Sequence, residues 1–296
     1  MRGMIRTEPR VSVILCTRNR SRRLVPCLDR VADSGRRARA GWELVVVDNG
    51  STDDTQEVLG AWARGAGLDV KVVTEPRAGL SAARNRGTEA SRGELLAFVD
   101  DDCLVGPDWL SAVVAAYQSV PRPDLVGGRV DLADDADARV SIRTFDDPLD
   151  IRDFGVLCER LIGCNFSVRA EALHRIGRFD ERLGAGTPGG SAEDFDVFYR
   201  LLKAGFRLRY EPSVRLSHAH GRRDPREIAA LGRQYARGRG ALYAKHVLMG
   251  DRALLRHFYW ELQGLSGFRV KRDLASGAFA YLRGRAVGRV SAPGAN

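Results

Sequence analysis

The chain has 296 residues, 44% of them hydrophobic, and a formal charge of +9, which is enough apolar material for one large α/β core or a core with a smaller appendage. No run approaches the ~18 apolar residues of a membrane span, and Met1 to Arg10 are charged and contain Pro9 instead of an apolar leader, so a cytoplasmic protein is expected. The five cysteines, Cys16, Cys27, Cys103, Cys158 and Cys164, are odd in number and form no C-x-x-C pair, which argues against a disulfide framework or a zinc site.

Strands and helices alternate through the first hundred residues. Val11 to Leu15 reads as a buried strand, Ser21 to Ala32 as a helix, Glu43 to Val47 as a second strand, and Thr55 to Ala66 as an amphipathic helix opened by the capping-type run Ser51-Thr52-Asp53-Asp54. The strand Val70 to Val73, the helix Gly79 to Ser91 and the strand Glu94 to Val99 follow. Such alternation predicts βαβ units and a mostly parallel sheet with helices on both faces. Ligands of such sheets bind at the carboxyl ends of the strands. Thr17, Arg18 and Asn19 follow the first strand, Asp48 and Asn49 the second, and Asp100, Asp101 and Asp102 the later one.

The aspartate triplet closes the apolar run Leu95 to Val99. Adjacent carboxylates inside a fold repel, and a hard cation with oxygen ligands relieves that repulsion. The alternative is a solvated acidic turn. Further on, Leu216-Ser217-His218-Ala219-His220 follows the strand-like stretches Arg207 to Tyr210 and Val214 to Leu216, and its two histidines share one face if the strand continues. Gly184 to Gly190 is rich enough in glycine for a loop that closes over a ligand or for an ordinary surface loop, and it precedes Glu193-Asp194-Phe195-Asp196. Asp131 to Asp153 is acidic and irregular, with Pro148 inside it.

Charge is unevenly placed. From Gly221 on there are 15 Lys/Arg against 5 Asp/Glu, so the preceding residues carry 32 against 33 and are nearly neutral. Pro225 to Tyr243 and Arg252 to Leu265 have helical spacing, with aromatic and aliphatic residues interleaved with arginine. Helices of this kind can cover a catalytic body, pair two subunits into a homodimer, or lie on an anionic bilayer. A body at 10–220 and a basic helical extension at 221–296 are expected.

Five blocks carry a family resemblance: Val11 to Arg20, Val45 to Thr55, Ala78 to Gly87, Phe98 to Asp102, and Gly189 to Asp196. In this order they resemble the family 2 glycosyltransferases of the GT-A fold. The resemblance implies an inverting hexosyltransferase-like enzyme that uses a nucleotide-sugar donor, a UDP-sugar by preference, with Mn²⁺ or Mg²⁺. It implies that Asp48 reads the base, with Thr17, Arg18 and Asn19 beside it, and that Arg84 contacts the diphosphate or ribose. Asp100 and Asp101 then lie on the nucleotide side, and Asp102 and His218 hold the metal, with the assignment within the triplet open by one position and His220 competing for the histidine role. Asp194 matches the general base, with Glu193 and Asp196 as the alternatives; Glu193 could instead hold an acceptor or sugar hydroxyl and Asp196 serve as an N-terminal charge of the following helix. Asn165, in Gly163 to Val168, is placed to meet a sugar hydroxyl or to serve as a buried structural amide. One carboxylate suffices as base for a direct displacement, and the product is inverted.

The acceptor is a hydroxyl of unspecified class, in a polysaccharide, glycolipid or natural product. A lipid-linked acceptor would suit peripheral contact at the inner membrane face. Two other functions compete. A nucleotidyltransferase of related fold would place glycine in the loop after its first strand, where this chain has Cys16-Thr17-Arg18-Asn19-Arg20. A non-catalytic nucleic-acid-binding protein would explain the basic tail, but the tail carries no familiar recognition motif, and no nucleic-acid partner is expected.

Overall fold

The computed structural model describes residues 10–264 and 268–290. β1 (Val11–Thr17), α1 (Leu24–Arg37), β2 (Trp42–Asp48), α2 (Thr55–Gly65), β3 (Val70–Thr74), α3 (Leu80–Ala90) and β4 (Leu95–Asp100) reproduce the expected alternation to within a few residues. β1 pairs in parallel with β2 and with β4, and β2 with β3. In the run before α2, Asp53 Oδ1 accepts the Thr55 amide at 3.1 Å, while the N-cap residue, Asp54, makes no side-chain cap bond.

Beyond β4 the sheet becomes mixed. β5 (Cys103–Val105), α4 (Trp109–Ala116), β6 (Leu125–Leu132), β7 (Leu149–Ile151), α5 (Phe154–Arg160), β8 (Asn165–Arg169), α6 (Ala170–Ile176), α7 (Glu193–Lys203) and β9 (Leu208–His218) follow. The strand order is β3-β2-β1-β4-β8-β6-β9-β5, with β7 on β9. β8 runs antiparallel to β4 and β6, whereas β6 and β9 are parallel. The two strand-like stretches around 207–216 are one strand, β9, interrupted by a bulge. Its partner register jumps from Gly128↔Glu211 to Arg129↔Arg215, and such an insertion leaves backbone groups without ladder partners. Asn165 satisfies two of them: its Nδ2 donates to Arg129 O and Val214 O, each at 2.9 Å. Gly128 leaves the space for this, since a Cβ there would lie 2.0 Å from Val214 O and 2.4 Å from Asn165 Nδ2.

The irregular acidic stretch turns out to brace the sheet. Val130 and Arg143 form a bridge, and the Tyr210 hydroxyl donates to Phe145 O at 2.9 Å.

The core covers both faces of the sheet. Val11, Val13 and Leu15 point to one side, against Leu24, Leu28 and Val31 of α1 and Trp109 and Val113 of α4. The alternate residues point to the other: a Cβ on Gly87 of α3 would lie 2.5 Å from Ile14 Cγ2. On that side Phe98 stacks on Phe166 at 4.7 Å, and Phe166 meets Phe198 edge-on at 5.0 Å.

The chain divides into two compact units. The first holds the chain up to Ala78, Ala82–Arg178 and Val197–Arg222; the second holds Gly79–Ser81, Phe179–Asp196 and the chain from Arg223 on. In the second unit α8 (Pro225–Leu248), α9 (Arg252–Gly264) and α10 (Phe268–Val290) extend the basic tail. Asp224 caps α8 by accepting the Arg226 amide at 2.8 Å, and Pro225 sits at the first helical position, where its missing N–H costs nothing. Glycines let α8 and α10 approach closely: a Cβ on Gly240 would fall 1.8 Å from Leu274 O, and one on Gly277 1.8 Å from Arg237 O. Among the described residues no helix is long and apolar enough to cross a membrane.

Candidate active site

In the first unit, the parallel register brings the predicted strand ends level. Thr17 is opposite Asp48, and Cys16 is opposite Asp100. Asp48 is 1% exposed; its Oδ1 accepts the Ser51 amide at 3.1 Å and its Oδ2 the Gln56 side-chain amide. Each carboxylate oxygen retains acceptor capacity for a further donor. Arg18 and Asn19 are exposed on the loop after β1. Asn19 adopts a left-handed backbone with φ 54° and joins the loop after β2, donating its amide to Ser51 Oγ at 2.9 Å and accepting the Thr52 amide at 2.8 Å.

The aspartate triplet is divided by its partners. Asp100 is the most open, with its side chain 36% exposed, and pairs with Arg84 Nη2 at 3.2 Å. Arg84 is buried, donates to Gly163 O at 2.9 Å and stands over the Phe166 ring. Asp101 accepts from the Thr17 hydroxyl at 2.7 Å and pairs with Arg20 Nε at 3.2 Å. Burial outweighs both partners and pushes its carboxyl up to about 6.

Asp102 meets His218, with Oδ1 3.1 Å from Nε2. Strand pairing makes this contact between residues far apart in sequence: Cys103 of β5 is opposite His218 of β9, and Ala219 N donates to Asp102 O at 2.8 Å. The ring's other nitrogen, Nδ1, lies 3.3 Å from Ser141 O, a second contact that fixes the ring's orientation and turns Nε2 toward the carboxylate. Burial opposes charge on both groups. Their hydrogen bond prevails, so Asp102 is held down at about 2 and His218 is pushed up to about 9.

Donor atoms of Asp102, Cys103 and His218 all lie within 4.8 Å of one another. Burial holds the Cys103 thiol well above its usual range, leaving a carboxylate and an imidazole as the useful donors. That set suits a divalent ion such as Mn²⁺, which keeps water and substrate oxygens in its remaining positions. His220 is differently engaged: its Nδ1 accepts the Arg222 amide at 2.9 Å and lies 3.8 Å from Asp137, while its Nε2 is buried without a partner. Of the two histidines, His218 is the one against the triplet.

Asn165 is completely buried and fully engaged. Besides its two bonds across the bulge, its Oδ1 accepts from Trp109 Nε1 at 3.0 Å. The expectation that it meets a sugar hydroxyl therefore gives way to its structural alternative, because every polar atom of the amide already has a protein partner.

In the second unit, the glycine-rich loop is held by bonds within itself and from the start of α3. Thr187 Oγ1 donates to Gly184 O at 2.8 Å, Leu80 N to Ala185 O at 2.9 Å, and Ser81 Oγ to Leu183 O at 2.7 Å. Ala192, with φ 72°, turns the chain through the left-handed region into α7, a conformation that costs a non-glycine residue ~1 kcal/mol or more. Glu193 and Asp194 follow, 5% and 8% exposed. Asp194 Oδ1 accepts the Phe195 amide at 2.8 Å, which fixes the side chain's rotation. Asp196 is fully buried, with Oδ1 2.8 Å from Lys245 Nζ and 3.0 Å from His246 Nε2.

Lys245 also meets Asp180 at 3.0 Å, and Asp180 is held further by Arg182 at 2.7 Å and by the Tyr281 hydroxyl at 3.0 Å. Burial alone would raise the Asp180 carboxyl; its cations hold it well below the usual range. Reading the sequence missed Lys245 and His246, whose only signal was a basic pair late in a helix. It also missed Arg20, which was visible in the loop after β1 and bridges Asp101 and Asp102.

Comparison with known proteins matches residues 12–177 to the model of glycosyl transferase family 2 and residues 95–281 to that of glycosyl transferase family group 2. Glycosyltransferase AglE of Haloferax volcanii is 29% identical over 267 residues, 88% of this chain and 83% of its own length. The pre-mycofactocin glycosyltransferase of Mycobacterium tuberculosis is 29% identical over 298 residues; the match takes in 94% of this chain but only 57% of that relative. Among solved structures, the mannosyltransferase PcManGT of Pyrobaculum calidifontis, in complex with GDP-Man and Mn²⁺, aligns with a TM-score of 0.59 at 22% identity, over 98% of this chain and 77% of its own.

Proposed function

The chain belongs to glycosyl transferase family 2, and on that footing we propose that it is a metal-dependent, inverting glycosyltransferase moving a sugar from a nucleotide-sugar donor to an acceptor hydroxyl. The observation that carries this is the buried Asp102–His218 pair, 3.1 Å apart at the carboxyl end of the sheet, on the register that aligns Asp48 and Asp100 with β1. Asp102 and His218 would hold Mn²⁺ or Mg²⁺. The ion, when bound, supplies Lewis-acid stabilisation of the departing diphosphate. Asp48 offers a buried carboxylate to the imide N–H of uracil, which favours a UDP-sugar, and the exposed Arg18 and Asn19 flank the base. Arg84 acts by orienting Asp100 from beneath.

Asp194 is the base. With Oδ1 occupied by the Phe195 amide, its Oδ2 takes the acceptor proton as the hydroxyl attacks the anomeric carbon opposite the diphosphate, and Glu193 holds a neighbouring hydroxyl. Asp196 is excluded from that role by its complete burial and by the contacts its Oδ1 makes with Lys245 Nζ and His246 Nε2. In this reading 10–220 is the catalytic body, and 221–296 is an extension that contributes Lys245 and His246 to the anchoring of α7.

The deciding experiment measures nucleoside diphosphate release from a panel of UDP- and GDP-sugars with and without Mn²⁺. Metal-dependent release from a UDP-sugar is expected. Release from a GDP-sugar alone would reassign the base-reading role of Asp48, and the absence of metal dependence would remove the role given to Asp102 and His218.

The tail supports one further reading. On α9 and α10, Leu255, Tyr259, Trp260 and Phe279 are exposed, with Arg256 over the Trp260 ring and Arg283 over Phe279. Interfacial aromatics among arginines suit peripheral contact with an anionic bilayer.

A further inference from the structure

In the second unit, a cavity of about 380 Å³ opens between the glycine-rich loop and α8. Gly186, Thr187 and Gly190 line one side, and Arg233, Gln234 and Arg237 the other; no carboxylate lines it. Arg233 and Arg237 are four residues apart on one helix, so both guanidiniums project from the same face. Like charges at that spacing are mildly destabilising on their own.

Among the described residues no carboxylate pairs with either arginine. No ion pair or hydrogen bond engages exposed Arg233 among the described residues. Arg237 makes one long bond, from Nη2 to Pro188 O at 3.3 Å, and its Nε is buried without any partner. A buried donor of this kind carries a desolvation penalty that an incoming acceptor removes. The wall is preformed, because Gln234 Nε2 donates to Gly190 O at 2.7 Å and Ser191 Oγ to Gln234 O at 3.3 Å.

We propose that this cavity is an oxyanion site that binds the phosphoryl group of a substrate through Arg233 and Arg237. Two guanidinium forks match the several oxygens of a phosphate ester or diphosphate. The volume is that of a small-molecule site, larger than a single phosphate requires, and leaves room for the group that carries it. The identity of the ligand rests on the glycosyl-transfer reading above, which supplies two sources: the diphosphate of the donor, or a phosphate on the acceptor. The site itself does not depend on that reading.

The test titrates inorganic pyrophosphate, without divalent metal, into the full chain by calorimetry. Wild type is expected to bind, each of Arg233→Gln and Arg237→Gln to weaken binding about tenfold, as for loss of one charge-assisted contact, and the double variant to show no measurable binding. Arg233→Gln changes an exposed side chain, so its melting temperature should match wild type and its loss of binding cannot be ascribed to unfolding. No binding by wild type, or undiminished binding by the double variant, overturns the proposal. Repeating the titration with UDP and Mn²⁺ separates the sources. Parallel weakening of UDP assigns the cavity to the donor, whereas unchanged UDP with a raised KM only for phosphate-bearing acceptors assigns it to the acceptor. A variant-sensitive pyrophosphate site in a protein that turns over no nucleotide sugar would refute the transferase reading and leave the cavity assignment standing.

Discussion

Both units bury clusters of carboxylates, and they neutralise them differently. In the first, Asp100 pairs with Arg84, and Asp101 and Asp102 share Arg20 but differ in their other partner, Thr17 for Asp101 and His218 for Asp102. The His218 contact is one that a cation can replace. In the second, Lys245 bridges Asp180 and Asp196 while Arg182, Tyr281 and His246 complete the shell. Those charges are committed to structure, and Asp194 stands beside them with an amide donor on one oxygen. The lesson is that acidity in a motif does not identify its chemistry. The partner does, by being exchangeable or fixed.

The largest effect is expected at Asp194. Asp194→Asn keeps the shape and removes the proton acceptor, so transfer should fall by about 10²–10⁴-fold while UDP binding with Mn²⁺ is unchanged. Turnover at the wild-type rate, or a product with retained anomeric configuration, would remove Asp194 from the mechanism.

Next in size is Lys245→Met, which leaves buried Asp180 and Asp196 without their shared cation. Removing one partner of a buried pair costs about 3–5 kcal/mol, measurable by urea unfolding. The pH dependence has a definite sign. Asp180 titrates lower in the folded protein than in the unfolded chain, so its contribution is complete above the unfolded value of about 4 and is lost as pH falls. Lys245→Met should therefore shrink the stability gained between pH 2 and about 5; an unchanged acid limb would show that the lysine does not hold Asp180.

Asn165→Ala should also cost stability, on the order of 3 kcal/mol, because it strands Arg129 O, Val214 O and Trp109 Nε1 in the interior. A variant that kept its stability but lost donor affinity would return Asn165 to the sugar. In the first unit, His218→Ala should weaken the Mn²⁺ enhancement of UDP binding more than His220→Ala, and equal effects would overturn the choice of ligand. The smallest effect is expected from Trp260→Ala, which should reduce sedimentation with anionic vesicles by a few-fold at low salt and leave turnover on a soluble acceptor unchanged.

Local patterns explain what was legible in the residues. Apolar runs bounded by helical stretches are short-range signals, and they revealed β1 to β4, the strand-end positions of Thr17, Asp48 and Asp100, and the acidic motif that opens α7. The glycosyl transferase family 2 assignment was carried by the same five blocks. Boundaries slipped where no local signal marks them: α1 begins at Leu24, three residues late, and α8 runs on to Leu248.

Tertiary structure alone decided the partners. Nothing local tells that Cys103 will face His218 across a strand pair, which makes an imidazole from the end of β9 a neighbour of Asp102. Nor does sequence reveal that β9 bulges against β6, and only that bulge makes a buried bracket of Asn165. Nothing in the sequence singles out Lys245 and His246 on the basic tail, and only α8 sets them against Asp196. Secondary structure follows from neighbours within a few residues. The charge state and availability of a side chain follow from groups brought within a few ångströms by long-range pairing, so the sequence determined which acids could act and the fold determined which of them were left able to.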